Sequence, residues 1–102
     1  MSNTKSNPHY SLEEIKQLVR NGQRVITYQA TLDADYIGFN HESIYSVVLD
    51  MNESHFYKSM ISEKNPLLWQ DVYHYQRDGL DMILYVKLQI NKNAVVISFK
   101  EK

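Results

Sequence analysis

Ala94-Val95-Val96-Ile97-Ser98-Phe99-Lys100 is the stretch that decides the fold of this chain. Its residues alternate with a period of two, the pattern of a strand. Alternation sets Val95, Ile97 and Phe99 on one face and Ala94, Val96, Ser98 and Lys100 on the other. Just upstream, Leu84, Val86, Leu88 and Ile90 share one face, while Ile83, Tyr85, Lys87 and Gln89 share the other. Two neighbouring strands of this kind bury their aliphatic faces together and leave Tyr85, Lys87 and Lys100 on an open one. A phenol and two ammonium groups on an open sheet can hold a phosphodiester and handle its protons. A solvated sheet face is the plain alternative for the same three residues.

Working outward, the period-two pattern begins near Phe56. Strands are expected near 55–62, 67–76, 82–90 and 94–101, with Asn65-Pro66, Asp78-Gly79 and Asn91-Lys92-Asn93 as turns. Upstream the period changes. Ser11 reads as a helix N-cap with Glu14 completing a capping box, and Leu12, Ile15, Leu18 and Val19 form an apolar stripe. Gly22 suits the left-handed residue that closes such a helix. Arg24–Tyr28 is β-branched, a strand or extended connector. Thr31–Ile37 reads as a short helix stopped at Gly38. Asn40 or His41 opens another, with Ile44, Val47, Val48 and Met51 at helical spacing. Helices first and a meander of strands afterwards predict an α+β fold, with N-terminal helices packed on one face of a mainly antiparallel sheet.

The 102 residues suit one domain, and a hydrophobic fraction of 43% supplies a core. Residues 1–9 read as a flexible tail. No residue is cysteine, so disulfides, thiolate zinc sites and cysteine nucleophiles are excluded, and a reducing cytoplasm fits. The polar start, Met1 to Pro8, does not read as a signal peptide, and no apolar run is long enough to cross a bilayer. Net charge is −1. Residues 1–50 carry four basic and six acidic groups, and residues 81–102 carry four basic and two acidic ones. The bias is right for a phosphate-binding C-terminal sheet but too small for a broadly basic nucleic-acid binder. RNA contacts would be few, short and placed.

No phosphate loop, His-Glu-x-x-His or nucleophile elbow occurs, and the four histidines lack metal-ligand spacing, so no metal or cofactor is expected. His74 shares strand parity with Gln70 and either faces RNA or is a solvated strand residue. Lys58, by alternation on a face with Phe56 and Met60, reads as a snorkelling edge lysine as readily as a catalytic one. Trp69 and Tyr73 share a face as core or rim residues, or as a surface on which bases stack. On these residues alone, an enzyme and a binding module are equally served.

Taken together, Phe56-Tyr57-Lys58-Ser59-Met60, Trp69-Gln70-Asp71-Val72-Tyr73, Tyr85-Val86-Lys87-Leu88 and Val96-Ile97-Ser98-Phe99-Lys100-Glu101-Lys102 resemble the MqsR (motility quorum-sensing regulator) family. Ile15 to Gln23 resembles that family's first helix, and Ala34 to Gly38 its second. The likeness runs in order from about residue 10 onward. It implies the toxin of a type II toxin–antitoxin pair, an endoribonuclease that cuts messenger RNA at GCU-type sites without the ribosome, on a fold similar to the RelE/YoeB-like toxins. It also implies a cognate antitoxin with a zinc-binding N-terminal half and a helix-turn-helix half. This chain would then meet DNA only through that partner.

Carried over by position, the family's active-site residues fall on Lys58, Gln70, Tyr85 and Lys100; Lys87, Tyr73, His74 and Arg77 are expected beside them as RNA contacts. The connection His74 to Gly79 departs from the family pattern in length and charge. The expected chemistry is metal-independent attack of a 2′-OH on the adjacent phosphorus. Lys58 and Lys100 would hold phosphoryl oxygens, one of them serving as base where neighbouring cations and burial lower its pKa; Tyr85 would protonate the leaving group or bond the phosphate, and Gln70 would orient a ribose or base edge. The competing expectation is a module that binds RNA or antitoxin without cutting and acts through repression of its own operon.

Overall fold

The computed structural model describes residues 3–102. The element order is β1 (Thr4–Lys5), α1 (Leu12–Arg20), β2 (Arg24–Ile26), α2 (Tyr28–Tyr36), α3 (His41–Asp50), a 3₁₀ turn (Glu53–His55), β3 (Phe56–Ile61), β4 (Trp69–Tyr75), β5 (Leu84–Asn91) and β6 (Asn93–Glu101). Six strands form one sheet in the order β1-β3-β4-β5-β6-β2. All neighbours are antiparallel except β2 and β6, which run parallel. This is the expected α+β architecture.

Local chemistry starts and stops each helix. Ser11 Oγ accepts from the Glu14 N–H at 3.2 Å, Thr27 Oγ1 from Ala30 at 3.1 Å and Asn40 Oδ1 from Ser43 at 2.8 Å. Each such cap contributes about 1 kcal/mol. The box is reciprocal at α3, where Ser43 Oγ accepts from the Asn40 N–H. Gly22 has φ 78°, and the Gln23 N–H reaches back to the Leu18 carbonyl, closing α1 in a Schellman turn. α2 begins three residues earlier than the sequence pattern suggests. Its outward face carries Tyr28, Leu32 and Tyr36, all exposed, which hides the contrast that normally marks a helix.

The helices cover one face of the sheet. Ile15, Val19, Ala30, Ala34, Ile44, Val47, Val48 and Met51 meet Tyr73, Tyr75, Leu84, Val86, Leu88, Ala94, Val96 and Phe99 in one buried cluster. This corrects the reading of β6. Lys87 pairs with Ser98 but Leu88 pairs with Val96, so Ile97 is an extra, bulged residue. The bulge reverses side-chain parity, and Ala94, Val96 and Phe99 share the core face instead of Val95, Ile97 and Phe99. Lys100 keeps its place on the open face.

The flexible-tail expectation is also corrected where the structure describes it; Met1 and Ser2 lie outside the described residues. Thr4 and Lys5 pair with Met60 and Ser59 as an edge strand. The backbone N–H groups of His9 and Tyr10 donate to Oδ1 and Oδ2 of Asp71 at 3.1 and 2.9 Å, and the Tyr10 hydroxyl donates to the Trp69 carbonyl at 2.7 Å. Asp71 is wholly buried, so these two N–H groups supply what water would otherwise give its carboxylate. His9 stacks on Trp69, and Lys5 Nζ lies 4.2 Å from the Trp69 ring centre. Among the described residues no helix is long and apolar enough to cross a membrane.

Candidate active site

The face of the sheet turned away from the helices carries the candidate site. Residues opposite each other in register point the same way. Lys58 lies opposite Val72, Val72 opposite Lys87, and Lys87 opposite Ser98. One pair further along, His74 lies opposite Tyr85 and Tyr85 opposite Lys100. The register therefore brings Lys58, His74, Tyr85, Lys87 and Lys100, from four different strands, onto one face.

Lys58 arrives there by a device that alternation hides. Phe56 pairs with Tyr73, yet Lys58 pairs with Val72, so Tyr57 is a bulged residue. Phe56 turns into the core and packs edge-on to Tyr73. Lys58 turns the other way, correcting the expectation that it shares a face with Phe56. Val72 is fully buried although it faces outward and belongs to no core cluster. Its two lateral neighbours are Lys58 and Lys87, whose aliphatic stems cover it and leave the ammonium heads at the surface.

Tyr57, which the sequence reading passed over, completes an aromatic row. It is 54% exposed, and its ring stacks on His74 at 4.2 Å; His74 in turn lies 6.0 Å from Tyr85. Lys58 Nζ is 5.5 Å from the Tyr57 ring centre. Lys100 and Lys87 Nζ lie 5.3 and 6.0 Å from that of Tyr85. The signal that finds Tyr57 is the bulge, and a bulge has no mark in the sequence.

Electrostatics separates these groups by role. Burial pushes the Tyr85 hydroxyl up from the ordinary phenol value, helped by the Glu63 carboxylate and by Tyr57, so it stays a proton donor. Burial lowers His74, and the Lys102 and Lys58 charges lower it further, so it stays a neutral imidazole. Burial lowers Lys87 as well, with Lys100 and Lys58 adding to the shift and Glu63 opposing it. An anion entering between these ammonium groups finds positive charge already held in place.

Gln70 is on the same face but apart from the phenol. It lies four positions before His74 along β4, roughly 13 Å at strand spacing. It is 7% exposed, and its Nε2 donates to Gln89 Oε1 at 3.0 Å. That bond fixes the amide and leaves its carbonyl oxygen and second N–H to offer a substrate. Two of the expected RNA contacts are not brought to the cluster. Tyr73 is 1% exposed on the helix-covered face, a core residue, which corrects its assignment. Arg77 sits beside the Tyr75 hydroxyl, which donates to Asp50 on the helical side of the sheet.

The arrangement can bind a phosphodiester, donate a proton and accept one, which is the machinery for moving a phosphoryl bond within RNA. Comparison with known proteins points the same way. The chain is 36% identical over 98 residues to the "mRNA interferase toxin MqsR" of Escherichia coli (strain K12), covering 96% of this chain and 98% of that one. The sequence pattern described as "Motility quorum-sensing regulator, toxin of MqsA" matches residues 7–101. With nearly its whole length matched, this chain belongs to the family of motility quorum-sensing regulator toxins.

Proposed function

We propose that the open face is the cleavage site of an endoribonuclease acting on messenger RNA, and that the chain is the toxin of a toxin–antitoxin pair. The observation that carries this reading is the grouping on the open sheet face of Lys87 and Lys100 around Tyr85, with Lys58 beside the neighbouring Tyr57. The name of the Escherichia coli relative, an mRNA interferase toxin, supports the substrate class.

The step needs four actions. The 2′-OH must lie in line with the adjacent phosphorus, lose its proton, form the new P–O bond and expel the 5′-oxygen with a proton. Lys58 and Lys100 hold the non-bridging oxygens, where charge grows as the bond forms. Tyr85 donates its proton to the departing 5′-oxygen. Lys87 holds a neighbouring phosphate, and Gln70, some distance along the groove, holds a ribose or base edge. The products are a 2′,3′-cyclic phosphate and a 5′-hydroxyl. Cleavage prefers GCU-type sites, and the neutralising partner is an antitoxin with a zinc-binding half and a helix-turn-helix half.

A short single-stranded RNA with one GCU site, incubated with the purified chain in EDTA, tests this reading. A cut leaving a cyclic phosphate, lost in Lys58→Ala while RNA binding persists, is the expected result. RNA bound but never cut by the folded wild type would leave the non-catalytic module as the better account.

A further inference from the structure

We infer that His74 is the general base of the cleavage step, taking the proton from the attacking 2′-OH through a ring nitrogen left open between Tyr57 and Tyr85. The inference rests on the ribonuclease reading above. His9 Nδ1 is bonded to Lys5 Nζ at 2.9 Å, His41 Nε2 to Thr31 Oγ1 at 2.8 Å, and His55 Nδ1 accepts from the Asn52 N–H at 3.1 Å. Each serves local structure. His74 differs: among the described residues neither of its ring nitrogens has a hydrogen-bond partner. A part-buried imidazole with both nitrogens uncommitted is available to a ligand.

Its position fits the task. His74 is directly opposite Tyr85 in the ladder, and its ring face is pinned by the Tyr57 stack at 4.2 Å. Stacking holds the ring plane while the nitrogens stay at the edge. The groups facing it are Tyr57 and Lys58 from β3, Tyr85 and Lys87 from β5, and Lys100 with Lys102 from β6 and its end. Glu63, from the connection between β3 and β4, acts on Tyr85 and Lys87. Burial, with the surrounding cations, keeps the imidazole neutral, while burial and Glu63 keep Tyr85 protonated. One acceptor and one donor, displaced in opposite directions by their surroundings, are what an acid–base pair requires.

The step balances. A His74 nitrogen takes the 2′-OH proton as O2′ bonds to phosphorus. The P–O5′ bond breaks, and the Tyr85 hydroxyl proton passes to O5′. Solvent then removes the imidazolium proton and restores the phenol. No other reactant is needed.

Single-turnover cleavage of the GCU oligonucleotide between pH 5 and 9, beside binding of its 2′-deoxy analogue, tests the assignment. The wild-type rate is expected to rise with pH and level off below the ordinary histidine value of 6.5. His74→Ala is expected to lose on the order of 10²- to 10⁴-fold in rate and to lose that rising limb. It should still bind the deoxy analogue and should recover partly with added imidazole. His74→Gln carries the same test if circular dichroism shows the alanine variant unfolded. His74→Arg fills the site with a cation that cannot accept a proton, and it is expected to be as slow as the alanine variant. Wild-type cleavage by His74→Arg, or survival of the limb in His74→Ala, would overturn the base assignment while leaving the ribonuclease reading intact. No cleavage by the wild type at any pH would overturn both.

Discussion

Replacing Tyr85 by Phe isolates one hydroxyl. Among the described residues that hydroxyl makes no hydrogen bond, so its removal leaves no orphaned partner. The phenyl ring keeps its place beside His74 and under the Lys87 and Lys100 ammonium groups. Folding stability is therefore expected to change by no more than about 0.5 kcal/mol. Catalysis should behave differently. If the hydroxyl protonates the leaving oxygen, its loss costs about 10²- to 10⁴-fold, or about 3–5 kcal/mol of transition-state stabilisation at 1.36 kcal/mol per tenfold. Single-turnover cleavage of a GCU oligonucleotide reads this directly. A substrate with sulfur replacing the bridging 5′-oxygen supplies a leaving group that needs no acid. On that substrate the variant should cut nearly as fast as the wild type. Full activity of Tyr85→Phe on ordinary RNA would refute the reasoning. An equal loss on both substrates would show that the hydroxyl binds phosphate and does not donate a proton.

Other perturbations reach other parts of the molecule. Asp71→Asn leaves only one oxygen for the two N–H groups of His9 and Tyr10, and it should cost about 1.5–3 kcal/mol in urea unfolding and open the N-terminal segment to protease. Gln89→Leu strands the Gln70 amide and should cost about 1–3 kcal/mol, and the double change Gln70→Leu/Gln89→Leu should recover much of that in a denaturation cycle. Lys87→Met keeps the apolar cover over Val72 but removes a charge, so the salt dependence of RNA affinity should lose about 0.7 of slope, measured by titration at several salt concentrations. Alkaline unfolding should follow the buried phenols. Burial and the bond to Asp50 push Tyr75 from 10.0 up to about 12, and burial with Asp71 raises Tyr73 as well. Their raised values leave stability intact below pH 10 and remove it as pH climbs toward 12, since only the unfolded chain ionises freely there. Circular dichroism against pH shows it as a loss that Tyr75→Phe reduces.

How far the sequence anticipates this molecule depends on the range of each signal. α1 and α3 are legible because caps and apolar stripes are local. The four long strands are legible because alternation is local too, and Tyr85, Lys87 and Lys100 fall on the open face as their parity predicts. The two bulges are not legible. Tyr57 and Ile97 are ordinary strand residues, and only the opposing strand shows that they are extra. Each reverses the parity beyond it, which misplaces Lys58 relative to Phe56 and turns Ala94 and Val96 inward. β1 escapes because two polar residues carry no pattern and pair only after β3 exists. Tyr73 misleads for a different reason: a tyrosine in a strand reads equally as a stacking surface and as core, and only the helices above it decide.

The place of β6 has a consequence for when this molecule comes into being. β6 follows every other element in the chain, yet it lies between β5 and β2 and is packed on by α1 and α2. Ala94, Val96 and Phe99 complete the core, and Lys100 completes the site. Pairing Arg24 with Ala94 joins residues seventy positions apart, a long-range closure that cannot begin early. A ribosome that has reached only Asn91 therefore holds a chain without a finished core and without one of its ammonium groups. Core and site are therefore completed together, only once the last strand has been made and paired.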